Sequence, residues 1–376
     1  MPNYIVSTCG TSLLTNSAAN ESRKKLNELA NELAKDLSPE DKQFIENEAE
    51  KVREQLQRCV NFSDLQKKSA EINTLLKLYG NQLNAGQNDR HLLLHTDTYE
   101  GQITAEILRD WLQSQGISQI EIHRCENLNT ANAASFQRGI VKLAKYLAET
   151  LPGWRESSYK IIFQLSGGFK TLAGFMQTAG MFFADEVVYI FETSDTLLRI
   201  PRIPIQLDTV VDKIIEKNLD TFRKLGRNEV LESGRISTLP DGLDWFVEQS
   251  DNLVSLTAWG ELCWEQVKTK FYSQKLLSSS DERIQYSKRF ENDFAKECIT
   301  LNHRKQVNER IDDFAEFIDS GMKRNLARLD FKEVKGNKMA PATKEIDAWT
   351  DGQAHRIFLH EENGVWIFDY LAPGLH

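Results

Sequence analysis

A regular alternation of strand-like and helix-like segments between residues 91 and 191 limits the folds that this chain can adopt. Short apolar runs, which are typical of buried strands, alternate with longer segments whose apolar residues recur at helical spacing. The predicted strands cover residues 91–95, 120–123, 160–165 and 186–191, and the predicted helices cover residues 104–115, 131–150 and 171–183. Strands joined by helices through short connections form a mostly parallel sheet, so the pattern predicts an α/β, Rossmann-like domain.

A long helical segment separates the first strand of this domain, residues 4–7, from the second. Apolar residues recur at helical spacing from residue 21 to residue 80, which predicts a helical insertion over about residues 17–82. The strand–helix alternation ends after residues 198–207, where Pro201 and Pro204 favour an edge strand. We therefore predict that the first domain spans residues 1–208.

The remaining sequence predicts a connector and a small second domain. Residues 209–281 are mainly helical in pattern and irregular, which indicates a connector. Residues 282–376 contain a short strand, two helical patterns and three alternating runs that are separated by Asp351-Gly352 and Asn363-Gly364. These dipeptides are strong hairpin signals. We therefore predict an α+β domain in which an antiparallel meander follows two helices.

Composition restricts the class and the location of the protein. The 376 residues carry a net charge of −9, which argues against a general nucleic-acid coat protein. The five cysteines are scattered and form no CxxC pair, so we expect neither a metal site nor a redox couple. Because the sequence shows neither a signal peptide nor a run of 18 apolar residues, we expect a cytoplasmic protein without a membrane partner.

The first candidate site combines two turns that follow predicted strands. Carboxyl ends of parallel strands lie at one edge of a sheet, where backbone N–H groups, hydroxyls and a lysine can hold a phosphate. The candidate ligand-binding residues are Thr11, Ser12, Asn16, Gly167, Gly168, Lys170 and Thr171. The spacing matches neither a Walker A loop nor the dinucleotide-binding glycine motif. On spacing alone, an alternative remains open in which the glycines only turn the chain.

The segments Ser7-Thr8-Cys9-Gly10-Thr11-Ser12-Leu13-Leu14 and Ser166-Gly167-Gly168-Phe169-Lys170, with the strands and helices around them, resemble the CARF domain, the CRISPR-associated Rossmann-like sensor. The resemblance implies a domain that binds a cyclic oligoadenylate, of which we expect cyclic tetra-adenylate, as an allosteric activator and needs no cofactor. Residues 97–101 follow the predicted strand 91–95, so we expect them on the same rim as the two turns. The resemblance implies that Ser12 and Lys170 contact the phosphate–ribose ring. It also implies a homodimer with the site across the interface. Some CARF domains cleave their ligand slowly.

The second candidate site lies near the end of the chain. Residues 322–344 contain seven basic residues and two acidic ones, which leaves a local net charge of +5. Alternation along a strand places Arg356 and His360 on one face and His355 on the other. The candidate catalytic residues are Arg356, His360, His376, Lys335, Lys338 and Lys344. Histidines and cations suit metal-independent RNA cleavage by the 2′-hydroxyl of the substrate. A solvated charged face is the alternative.

Residues 282–376 resemble the RelE/HigB toxin fold through Ile284-Gln285-Tyr286-Ser287, Leu329-Asp330-Phe331-Lys332-Glu333-Val334-Lys335-Gly336 and His355-Arg356-Ile357-Phe358-Leu359. The resemblance implies a ribonuclease that cleaves mRNA on the ribosome, with Arg356 in the family's Arg-Ile-aromatic strand. It assigns the other basic positions to Lys335, Lys338 or Lys344 and the polar C-terminal position to His376. The two resemblances together predict a type III CRISPR effector that cyclic oligoadenylate activates and that inhibits translation.

Other functions remain as alternatives. The chain would be a ligand-sensing regulator or a ring nuclease if its last domain did not cleave mRNA. A HEPN ribonuclease would carry Arg-x4–6-His on a helix, but the only such spacing, Arg90 to His95, lies in a predicted strand. The missing glycine motif argues against nicotinamide binding.

Overall fold

The computed structural model of the chain describes residues 1–59, 61–129, 133–190, 196–203, 209–227, 230–235, 243, 245–323, 326–334 and 339–374. The chain divides into two compact units, Met1–Gln206 and Leu207–His376. The second unit therefore holds both the segment predicted as a connector and the segment predicted as a C-terminal domain. Within the described ranges, no helix combines the length and the apolar character needed to cross a membrane.

A six-stranded sheet forms the centre of the first unit. Its strands are β1 (Asn3–Thr8), β2 (Arg90–Thr96), β3 (Ile120–Cys125), β4 (Lys160–Gln164), β5 (Glu186–Ile190) and β6 (Leu197–Pro201). The order across the sheet is β3-β2-β1-β4-β5-β6. All neighbours are parallel except β6, which is an antiparallel edge strand beside β5. The structure confirms the predicted mostly parallel α/β sheet and the edge strand at Pro201. The strand order reverses between β1 and β4, the position at which such sheets bind ligands.

The segment between β1 and β2 is helical, as predicted. It contains α1 (Ser12–Thr15), α2 (Asn20–Leu29), α3 (Pro39–Arg58), α4 (Phe62–Gln66) and α5 (Ala70–Leu78). The side chain of Ser38 accepts a hydrogen bond from the backbone N–H of Asp41 and so caps α3. Leu75 of α5 belongs to the same buried cluster as Ile5 of β1 and Ile162 of β4. The insertion therefore covers one face of the sheet.

Three further helices complete the first unit: α6 (Tyr99–Ser114), α7 (Ala133–Glu156) and α8 (Lys170–Phe183). Ile103 of α6 packs in the same cluster as α5, on the face with Ile5. On the other face, Trp154 of α7 stacks on Tyr4 with ring centroids 4.9 Å apart. Gly180 of α8 lies close to Val187 on that same face. The sheet is therefore covered on both sides, which explains its nearly continuous apolar strands.

The second unit begins with α9 (Thr209–Lys217), α10 (Leu219–Arg227), β7 (Leu231–Glu232), β8 (Val247–Ser250), β9 (Leu253–Leu256) and α11 (Ala258–Gln274). The three strands form an antiparallel sheet in the order β7-β9-β8. Phe222, Phe246 and Trp264 are buried in the core beside it. The prediction of a mainly helical connector missed this sheet, because strands of two to four residues are too short to show an alternating pattern.

The rest of the second unit contains β10 (Ile284–Tyr286), α12 (Lys288–Phe294), α13 (Leu301–Asp319), β11 (Lys332–Glu333), β12 (Lys344–Trp349), β13 (His355–Glu362) and β14 (Val365–Pro373). These strands form a five-stranded sheet in the order β10-β14-β13-β12-β11. β10 is parallel to β14, and all other neighbours are antiparallel. The predicted order of a strand, two helices and an antiparallel meander is confirmed.

One face of this second sheet packs against α13. Ile311 and Phe314 of α13 are fully buried together with Ile357 and Leu359 of β13. Because side chains alternate along a strand, Arg356 and His360 lie on the opposite face, as predicted. Arg356 and His360 are therefore outside the apolar core.

Candidate functional site

The turns after β1 and β4 meet at the edge where the strand order reverses. An ideal Cβ on Gly10 would lie 2.7 Å from the backbone nitrogen of Gly168. Gly168 has a φ of +84°, a conformation that favours glycine. The close approach of the two turns therefore explains in part why glycine occupies both positions. This agrees with the alternative that the glycines serve to turn the chain. The same geometry brings the turn at Gly10 against the turn at Gly168. We call the place where these two turns meet the crevice.

The crevice collects most of the predicted ligand-binding residues. Thr11 and Ser12 are half-buried at the start of α1, and Gly167 is buried. Lys170 and Thr171 are exposed in the first turn of α8. Asn16 lies past the end of α1, where its side-chain nitrogen is 3.4 Å from the carbonyl oxygen of Lys68. Asn16 therefore contacts the insertion.

The N-terminus of α8 faces this edge with a positive charge. The helix has 14 residues, and the preceding Phe169 provides no side-chain cap. Its first N–H groups carry the positive end of the helix dipole, and the ammonium group of Lys170 adds a full charge. A helix N-terminus with a lysine is a favourable environment for a phosphate.

Glu71 of α5, which no sequence motif indicated, lies in the same crevice. Its side chain is buried, and Oε1 accepts a 2.7 Å hydrogen bond from the backbone N–H of Gly10. Oε2 accepts a 3.2 Å hydrogen bond from the hydroxyl of Ser12. A Cβ on Gly167 would collide with the Glu71 carboxylate. Burial raises the pKa of Glu71, while the hydrogen bonds from Gly10 and Ser12 act in the opposite direction.

Residues 97–101, which follow β2 and which we expect on this rim, have mainly structural contacts. Asp97 accepts hydrogen bonds from Arg124 and from the backbone N–H of Asn127, at 2.6 and 2.8 Å. Thr98 caps α6 by accepting from the N–H of Gly101. Burial raises the pKa of Glu100 to about 8, and both its carboxylate oxygens lack a hydrogen-bond partner in the part of the chain that the structure describes.

The second unit contains a histidine–aspartate pair on the predicted face of β13. Nδ1 of His360 is 2.7 Å from Oδ2 of Asp369. The pairing of β13 with β14 shifts at this point, because Phe358 pairs with Tyr370 and Leu359 with Phe368. Asp369 is therefore the extra residue of a β-bulge, a feature that often redirects a side chain. Burial raises the pKa of Asp369, and the hydrogen bond to His360 opposes this shift.

Arg289 of α12 lies against Tyr370 of β14. The guanidinium group of Arg289 is 4.5 Å from the ring centroid of Tyr370, the chain neighbour of Asp369. Arg289 is exposed and forms no ion pair with an acidic residue within the described ranges. It is a cation that the sequence analysis did not single out.

Arg356 occupies a different environment from the one expected. Its guanidinium group is 2.9 Å from Asp330, 2.8 Å from Asp347 and 3.5 Å from Glu345. Four residues along a strand separate Arg356 from His360 by about 13 Å between their Cα atoms. Arg356 is therefore neutralised by carboxylates.

The expected basic patch is also largely neutralised in the described residues. Lys332 pairs with Asp330, Lys344 with Glu333, and Arg328 with Asp313, at 2.6 to 2.8 Å. Asp330 and Glu333 are the two acidic residues of this segment, whereas Asp313 lies on α13 and the charge count over residues 322–344 did not include it. The candidate residues Lys335, Lys338 and His376 lie outside the described residues. Among the residues that are described, no cluster of three or more His, Cys, Asp or Glu side chains could hold a metal ion.

Part of the first unit is similar in sequence to a known family. Residues 66–203 match the family model of a CRISPR-associated protein, Cas_APE2256. Over this range, the chain is similar to CRISPR-associated proteins of the CARF type.

The matched range lies within the first unit. It contains Lys170, the glycine turn and Glu71, and it begins after Ser12. No curated protein matches the chain. The family match therefore supports a CRISPR-related function for the first unit.

Proposed function

We propose that the first unit binds a cyclic oligoadenylate at the edge where β1 and β4 end, and that the ligand activates a ribonuclease in the second unit. The observation that carries the first part is the contact between the two glycine turns beside the uncapped N-terminus of α8. Together with Ser12 and Lys170, this crevice offers hydrogen-bond donors and a positive charge to a phosphate. The match to a CRISPR-associated family supports the choice of ligand class.

A cyclic ligand with twofold symmetry fits a homodimer, because two copies of one surface can each bind half of the ring. Each copy would supply Ser12 and Lys170. Ligand binding shifts activity only if the active and inactive conformations bind the ring with different affinities.

We expect the substitution Lys170→Ala to weaken binding of cyclic tetra-adenylate by about 10- to 100-fold, because a hydrogen bond to a charged group contributes about 1.5–3 kcal/mol. Isothermal titration calorimetry on the full chain measures the dissociation constant. Lys24→Ala, on the exposed surface of α2, is the matched control and should leave the affinity unchanged. Equal affinities for wild type and Lys170→Ala would contradict the proposed site.

The His360–Asp369 pair supports the second part of the proposal. Asp369 holds Nδ1 of His360, so that Nε2, which lies 4.0 Å from the exposed carboxylate of Glu362, can accept a proton. Nε2 removes the proton from a 2′-hydroxyl of RNA, and the 2′-oxygen attacks the adjacent phosphorus. The bond to the 5′-oxygen breaks, this oxygen takes a proton from water, and the products are a 2′,3′-cyclic phosphate and a 5′-hydroxyl. Arg289, which packs on the ring of Tyr370 next to Asp369 in the chain, is the cation that we assign to stabilise the phosphorane charge.

The carboxylates around Arg356 favour the alternative of a regulator without nuclease chemistry. Asp330, Glu345 and Asp347 repel a phosphate at this position unless RNA binding rearranges them. From the resemblance to ribosome-dependent toxins, we propose mRNA and the ribosome as partners. A cleavage assay with and without ribosomes tests both.

A further inference from the structure

Glu71 uses the hydrogen-bond donors that the proposed phosphate requires. The N–H of Gly10 and the hydroxyl of Ser12 both donate to its carboxylate. A carboxylate and a phosphate are both anionic acceptors, so the same donors cannot serve both at once. In addition, the two negative charges repel each other in a buried crevice. Glu71 and the ligand therefore compete for this position.

We propose that Glu71 is an internal occupant of the ligand site and that a cyclic oligoadenylate must displace its carboxylate in order to bind. This inference rests on the proposed function of the first unit. Glu71 lowers the affinity of the sensor and sets the ligand concentration at which the protein responds.

The displacement of Glu71 can be confined to the N-terminal end of α5. Glu71 is in the first turn of the helix, which the hydroxyl of Ser69 caps by accepting from the N–H of Ile72. Further along, Leu75 and Leu76 are fully buried in the core. Opening of the first turn, which carries Ile72 with it, frees Gly10 while Leu75 and Leu76 stay packed in the core.

Buried polar groups on β1 and β4 are consistent with a second conformation in which a ligand is bound. Ser7 and Gln164 are fully buried register partners on β1 and β4. They lie two residues from Ile5 and Ile162, and hence on the sheet face that α5 covers. Within the described residues, the hydroxyl of Ser7 and both polar atoms of the Gln164 amide have no hydrogen-bond partner. Such groups are unfavourable when buried without partners, and a polar ligand entering beneath α5 would supply them.

The test compares wild type with Glu71→Gln in the full chain. Glutamine keeps an oxygen that can accept from Gly10, but it removes the charge. We expect Glu71→Gln to bind cyclic tetra-adenylate at least about tenfold more tightly than wild type, with cyclic hexa-adenylate as a second probe. Glu48→Gln is the matched control, because Glu48 is also a buried carboxylate of the insertion but bonds to Ser22 and Lys51. Its affinity should equal that of wild type.

Hydrogen exchange on the wild-type chain gives a readout that does not depend on any variant. With saturating ligand, we expect faster amide exchange in residues 69–74 and slower exchange at the start of α8. Equal or weaker binding by Glu71→Gln, or unchanged exchange in residues 69–74 with ligand bound, would overturn the inference while leaving the ligand site intact. If neither wild type nor Glu71→Gln binds either ring, the proposed function itself is overturned.

Discussion

Replacing Asp312 with alanine should lower the free energy of unfolding of the second unit by about 3–5 kcal/mol, because it leaves a buried guanidinium group without its counter-charge. Arg223 of α10 is 1% exposed and donates to Asp312 of α13 at 2.7 and 3.1 Å. The hydroxyl of Tyr272 donates to the same carboxylate. Urea unfolding followed by tryptophan fluorescence measures the change, since Trp264 lies in this core.

Two comparisons make this result specific. Asp319→Ala removes an exposed carboxylate that pairs with Arg283, and it should cost no more than about 1 kcal/mol. The double variant Arg223→Met with Asp312→Leu removes both charges and should recover much of the lost stability. A loss for Asp312→Ala as small as that for Asp319→Ala would show that the buried pair is not needed to hold α10 on α13.

Replacing His360 with glutamine should lower the rate of RNA cleavage by about 10²- to 10⁴-fold, the usual contribution of a general base. The measurement is single-turnover cleavage of a labelled mRNA by the full chain, with cyclic tetra-adenylate present and with ribosomes present or absent. Asp369→Asn should cause a smaller loss, because it removes the group that orients the imidazole ring of His360.

The other histidine of β13, His355, provides a matched control for this assay. His355 stacks on Trp349, and its Nδ1 bonds to the carbonyl of Gln353, so His355→Gln should keep nearly full activity. An RNA with a 2′-deoxy nucleotide at the cleavage site should resist cleavage. If the wild-type chain cleaves no RNA under any of these conditions, the regulator alternative is correct.

The parts of the fold that could be predicted depend on local patterns. Alternating strands and helices identified the sheet of the first unit, and the Asp-Gly and Asn-Gly dipeptides identified the hairpins of the second. The small sheet of β7, β8 and β9 could not be predicted, because each strand is too short to carry a pattern. Its stability comes from burial of Phe246 and its neighbours, which is a tertiary effect.

The candidate sites, too, could be predicted only where a local sequence pattern indicates them. The meeting of Gly10 and Gly168 could be predicted, because carboxyl ends of parallel strands share one edge. The place of Glu71 in that crevice depends on how the insertion packs on the sheet, which no local pattern reports. Likewise, the carboxylates around Arg356 come from β12 and from the loop that contains Asp330, and the His360–Asp369 contact requires a β-bulge. A charge count along the chain cannot detect such partners.

The measurement that tests the account most directly is a crystal structure of the full chain with cyclic tetra-adenylate. We predict that phosphate oxygens of the ring lie about 3 Å from the hydroxyl of Ser12 and from the first backbone N–H groups of α8. We also predict that the carboxylate of Glu71 no longer accepts from the N–H of Gly10. A ring that binds away from the edge where β1 and β4 end would contradict the account.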